Sequence, residues 1–179
     1  IFNQGIVDYV TAYQQGGTDA MGNVLDKKQE KSRAEEYRTL LAHSPYLVEY
    51  IKEFNEYLAA WPNAKLAGAE DVLYWAKDTF GLKPVVSAYH ATFYNSPRGA
   101  LISTKLLGAT HFFNASLEIL AAVPAPDVKG LYLLNLYRTR IDPPTGMMGG
   151  MLMGKVRDGI DTGVKENLKR ARERLAAAR

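Results

Sequence analysis

Hydrophobic positions along this chain change period twice. Up to about Pro62 they recur at the three- and four-residue spacing of helices. From about Pro84 to Ile141 they alternate in the two-residue rhythm of strands, and from Thr145 to Leu175 the helical spacing returns. The first helix is predicted from Gln4 to Gln15, with Ile6, Val7, Val10 and Tyr13 apolar. Gly16-Gly17 stops it, because glycine accepts the left-handed cap conformation. Thr18 to Lys31 is polar and reads as loop. Ser32-Arg33-Ala34-Glu35 has the form of a capping box and opens a second helix. Ser44-Pro45 opens a third, a cap residue followed by proline at the first helical position. Its apolar face is Tyr46, Leu47, Tyr50, Ile51, Phe54, Tyr57, Leu58 and Trp61, and Pro62 ends it.

Asp71 to Lys77 permits either a strand or a short helix. Strands follow over Val85 to Tyr94, Ala100 to Leu107, Thr110 to Val123 (with a break at Gly108) and Leu131 to Ile141. Ser96-Pro97-Arg98-Gly99 reads as a hairpin turn. Short connections imply antiparallel pairing. Pro143-Pro144 cannot continue a strand, and Thr145 can cap the closing helix. There Leu152, Val156, Ile160, Val164 and Leu168 step by four, so the stripe winds by about 40° per step, as a helix lying obliquely on a twisted sheet requires. The pattern predicts one α+β domain over 1–179: N-terminal helices over 1–62, a curved antiparallel sheet of about 4–5 strands over 70–141, and a long C-terminal helix over 145–178 packed across it.

Composition narrows this only a little. The 179 residues suffice for one compact core. Eleven tyrosines suit pocket walls, interfaces or a half-buried sheet. With no cysteine, disulfides, thiolate catalysis and cysteine zinc sites are excluded within the span. Of the net charge of +3, residues 155–179 contribute +4, which suits either anionic surroundings or a solvated helix end whose cations complement the dipole. No nucleic-acid partner is expected. No apolar run is long enough to span a bilayer. The chain begins at Ile1 rather than methionine, so a precursor segment is expected upstream.

No catalytic motif stands out: there is no Ser–His–Asp context, phosphate loop or carboxylate pair, and no catalytic residue, metal or cofactor is assigned. The candidate ligand-binding residues are His90, His111, Tyr94, Arg138, Met147, Met148, Met151 and Arg157. His90 and His111 fall on different predicted strands and could face one another, with Glu118 the nearest strand carboxylate. Arg138 or Arg157 could fork onto a carboxylate or phosphate headgroup, or pair with Asp142, Asp158 or Asp161. Met147, Met148, Met151 and Met153 cluster at the start of the closing helix, as a pocket mouth or as gap filling. Gly149, Gly150, Gly154, Gly159 and Gly163, within or near the start of that helix, would serve close helix–sheet approach or room for a ligand.

The strands followed by Asp142-Pro143-Pro144-Thr145-Gly146 and a long closing helix resemble the START-like, or helix-grip, lipid-binding superfamily over about Phe80 to Leu175. Tyr74-Trp75-Ala76-Lys77 and Phe80-Gly81-Leu82-Lys83-Pro84 also resemble an uncharacterised family of exported bacterial proteins. The first resemblance implies a hydrophobic small molecule or lipid held between sheet and helix; the second implies the periplasm or cell envelope. The chain departs from the full helix-grip pattern in lacking a clear strand before Gln4. The expectation is therefore a non-enzymatic binding protein of the bacterial envelope. Its alternatives are an accessory subunit on the periplasmic face of a membrane complex, respiratory or photosynthetic, and a small hydrolase or isomerase using His90 or His111 with Tyr94.

Overall fold

The computed structural model describes residues 2–26, 29–79, 84–110, 113–127, 129–141 and 149–177. In chain order the elements are α1 (Phe2–Gly16), a 3-10 turn (Gly17–Met21), β1 (Asn23–Asp26), β2 (Gln29–Ser32), α2 (Arg33–Ala42), α3 (Pro45–Tyr50) and α4 (Lys52–Ala60). Then come β3 (Ala69–Thr79), β4 (Pro84–Ser96), β5 (Gly99–Ala109), β6 (Phe113–Pro124), β7 (Leu131–Ile141) and α5 (Gly149–Ala177). Strands β3 to β7 form one open antiparallel sheet in sequence order, and β1 and β2 pair separately. The class is α+β, with the five-stranded sheet and the long C-terminal helix that the periodicity predicts. Among the described residues no helix is long and apolar enough to cross a membrane.

Local chemistry explains most boundaries. Ser32 caps α2 by accepting from the Glu35 amide at 3.3 Å, the first half of the expected capping box. Ser44 does precede α3, but its hydroxyl turns back and donates to the Leu40 carbonyl at 2.8 Å, tying α2 to α3. The Ser96–Gly99 turn closes β4 onto β5, with the Arg98 amide donating to Ser96 Oγ. The ambiguous stretch Asp71 to Lys77 is strand throughout, paired with β4 from Ala69↔Tyr94 to Thr79↔Pro84.

Two expectations need correction. Thr18 to Lys31 is a 3-10 turn and a small hairpin, not loop alone, and Met21 within it is fully buried. Gly17 makes this possible: its φ is +59°, and a Cβ there would collide with the Trp61 carbonyl. The third helix is two helices, broken at Ile51, whose extended φ of −141° leaves the helical region. The break turns Tyr50 out of the expected apolar face, leaving it 65% exposed. The residues around Thr145 that would start the closing helix lie outside the described residues, as does the Pro143-Pro144 step.

Register assigns each side chain to a face of the sheet. The inner face carries Tyr94, Leu101, Leu117, Ile119 and Ala121, packed against Tyr37, Leu40, Leu47, Phe54 and Leu58 of α2 to α4. Phe54, fully buried, stacks on Tyr94 at 5.4 Å. The outer face carries the alternate residues and meets α5, which packs along β7. Asn167 of α5 donates to Glu118 of β6 at 3.3 Å across this contact. Val156, Ile160, Val164 and Leu168 are the partly buried side of α5, so the stripe winding by fours is the packed one. A Cβ at Gly150, Gly154, Gly159 or Gly163 would meet nothing within 4 Å, so close helix–sheet approach does not account for these glycines.

Candidate functional site

Two polar constellations lie on opposite faces of the sheet. The inner one is a closed hydrogen-bonded chain. His90, 3% exposed on β4, places Nε2 2.7 Å from Asp71 Oδ1 of β3, and its Nδ1 lies 2.8 Å from the Tyr13 hydroxyl of α1. A carboxylate only accepts, so Nε2 carries the proton, Nδ1 accepts and Tyr13 donates. Thr92 also donates to Asp71 Oδ1 at 2.7 Å, while Tyr57 and Trp61 donate to Oδ2. Trp61 then stacks on Tyr13 at 4.8 Å and lies against His90 at 4.4 Å.

Electrostatics agree with these proton positions. Burial pushes the Tyr13 hydroxyl far up, keeping it protonated. Burial also holds His90 below the usual histidine value, outweighing the pull of Asp71, so the ring is neutral at pH 7. For Asp71 burial acts upward, but the hydrogen bonds from Tyr57, Thr92 and His90 win and hold its carboxyl below the usual range. Beside this chain Lys105 of β5, 3% exposed, donates to Thr18 Oγ1 at 2.8 Å and sits 4.0 Å over the Tyr37 ring. Burial first, and the charge of Arg38 second, bring its amine down to about 7.

The outer constellation is a cavity of about 240 Å³. Each strand of the main sheet contributes to it: Tyr74 and Ala76 from β3, Tyr89 from β4, Thr104 from β5, Ser116 and Glu118 from β6, and Tyr137 from β7. Small residues (Thr104, Ser116, Ala76) among three tyrosines leave the hollow. Thr104, Glu118 and Tyr137 are consecutive partners across β5, β6 and β7, and Tyr74 pairs with and stacks on Tyr89 at 5.2 Å. Glu118 is oriented from both sides: its Oε1 accepts from Asn135 Nδ2 at 2.8 Å as well as from Asn167. Burial raises the Tyr137 hydroxyl above its ordinary value.

None of the described candidate ligand-binding residues lines this cavity, whereas Glu118, expected as the strand carboxylate nearest the histidines, does. His90, Tyr94 and Arg138 all lie on the inner face. Tyr94 is buried against Phe54. Arg138 donates from Nε to the Tyr46 hydroxyl at 3.0 Å and lies over that ring, while Asp142, one of the expected aspartate partners, lies outside the described residues. Its neighbour on that face, Arg140, pairs with Glu36 of α2. Met151 and Arg157 are exposed on α5, and Arg157 stands outside its packed stripe. His111, Met147 and Met148 lie outside the described residues, so the expected His90–His111 pair does too. Among the described residues no cluster of three or more His, Asp or Glu side chains could hold a metal. The cavity residues were legible only through register, since Tyr89 and His90 are neighbours that face opposite ways.

In comparisons with known proteins, the chain matches no family model, and no curated protein or solved structure matches it.

Proposed function

We propose that this protein is a non-enzymatic binding module, holding a small molecule on the outer face of its sheet beside the C-terminal helix. The cavity of about 240 Å³, with a side chain from each of the five strands, carries this reading. It is smaller than the roughly 300–1,000 Å³ typical of drug-sized ligands. Its occupant is therefore small, or is one end of a longer molecule such as a lipid. Three tyrosines, two hydroxyls and a carboxylate favour an amphipathic ligand over a purely hydrophobic one. Native mass spectrometry of protein from its own cells is the test. Wild type should carry a bound mass, and Thr104→Trp, which fills the cavity, should lose it. Wild type without a bound mass would sink the reading.

The geometry of His90 speaks for structure over catalysis, because both ring nitrogens are engaged inside the fold. An envelope location accompanies the binding reading through the family resemblance alone. A second reading, an accessory subunit of a membrane complex, draws on Val72 and Phe93, which are 48% and 40% exposed on the outer face of the adjacent strands β3 and β4. Recovery of the protein as a monomer from gently solubilised native membranes would count against it.

A further inference from the structure

We infer that the outer cavity selects an organic ammonium group: a positively charged amine on an apolar body. The inference rests on the binding reading above and names its ligand class. Two observations converge on it. First, the cavity is lined by electron-rich groups. Glu118 supplies a carboxylate, and Tyr74, Tyr89 and Tyr137 supply aromatic rings, a residue type whose quadrupole attracts cations. No lysine, arginine or histidine is among its described lining residues. Second, the carboxylate is held for use. Asn135 and Asn167, from β7 and α5, both fix Oε1, which orients the group without neutralising its charge. An anion would meet only repulsion from Glu118, and a neutral alcohol would leave the carboxylate without a counter-charge.

The discriminating experiment uses three probes of nearly equal shape on the full chain: phenethylammonium, 2-phenylethanol and 3-phenylpropionate. Binding is read by calorimetry and by tyrosine ring shifts in NMR. Phenethylammonium should bind at least tenfold more tightly than the alcohol, and the carboxylate should not bind. Glu118→Gln keeps an oxygen for both asparagines, so it should leave the melting temperature in place while erasing the cation preference. Thr104→Trp should remove binding of every probe. Equal binding of ammonium and alcohol, both lost in Thr104→Trp, would overturn the charge class and leave the cavity standing as a binding site. Silence from all three probes would overturn the cation inference, and the parent reading would then be decided by the native mass spectra. Ammonium binding that survives Thr104→Trp would place the cation elsewhere and overturn the assignment to this cavity.

Discussion

The two faces of the sheet are built from the same strands, one residue in, the next out, yet they treat polar groups in opposite ways. On the inner face the Asp71 carboxylate receives donors from His90, Thr92, Tyr57 and Trp61. The chain of bonds ends inside the protein, so little remains for a ligand to complete. On the outer face Glu118 is braced by two asparagines yet lines a cavity. The same chemical group is ringed by its donors on one face and, on the other, held by them beside a hollow.

Substitutions should separate the faces sharply. Phe54→Ala empties the inner core and should cost about 3–5 kcal/mol in urea unfolding. Tyr74→Ala on the cavity rim, where the residue is 42% exposed, should cost about 1 kcal/mol or less. Similar losses from the two would dissolve the contrast. Next in size, Asp71→Ala leaves several donors without an acceptor and should cost about 2–3 kcal/mol, reduced from the fully buried case because its side chain is 23% exposed. Glu118→Gln should stay within about 0.5 kcal/mol of wild type.

Lys105 gives a pH signature. Its amine titrates near 7 in the fold and near 10.4 in an unfolded chain, so between those values the unfolded state binds more protons. Stability should therefore rise with pH across that window, by at most about 1.4 kcal/mol per unit, and be flat in this group's contribution below it. Lys105→Met should abolish the excess slope relative to wild type and be neutral or stabilising at pH 7; an unchanged slope in urea titrations would refute the assignment. The smallest effect concerns α5. Gly159→Ala meets no neighbour and should stabilise by about 0.5–1 kcal/mol in thermal melts, without altering binding.

Much of the architecture could be read from the chain. Strand alternation from Val85, the Ser96–Gly99 turn and the four-step stripe of α5 each reflect a local rule acting undisturbed. The break at Ile51 and the hairpin after Gly17 could not, because both depend on contacts made elsewhere in the fold. The site was harder still. Histidine and arginine drew attention as reactive types, but His90 and Arg138 point inward to Tyr13 and Tyr46. Tyr74, Tyr89 and Tyr137 are ordinary in sequence, and Glu118 stands out only as the strand carboxylate nearest the two histidines. They become a site only when register brings five strands side by side and small residues fall between them.

The attachments of α1 carry a kinetic consequence. Tyr9 donates to the Leu107 carbonyl at 2.5 Å, 98 residues away, and Tyr13 reaches His90 across 77. The sheet, by contrast, grows by hairpins between successive strands. Closing the long loops costs chain entropy that the first helix alone cannot recover, so α1 should dock late, onto a sheet already assembled. Changes at Tyr9 or Tyr13 should then quicken unfolding while leaving the folding rate nearly unaltered. Among the described elements, α1 is thus one of the last to find its place.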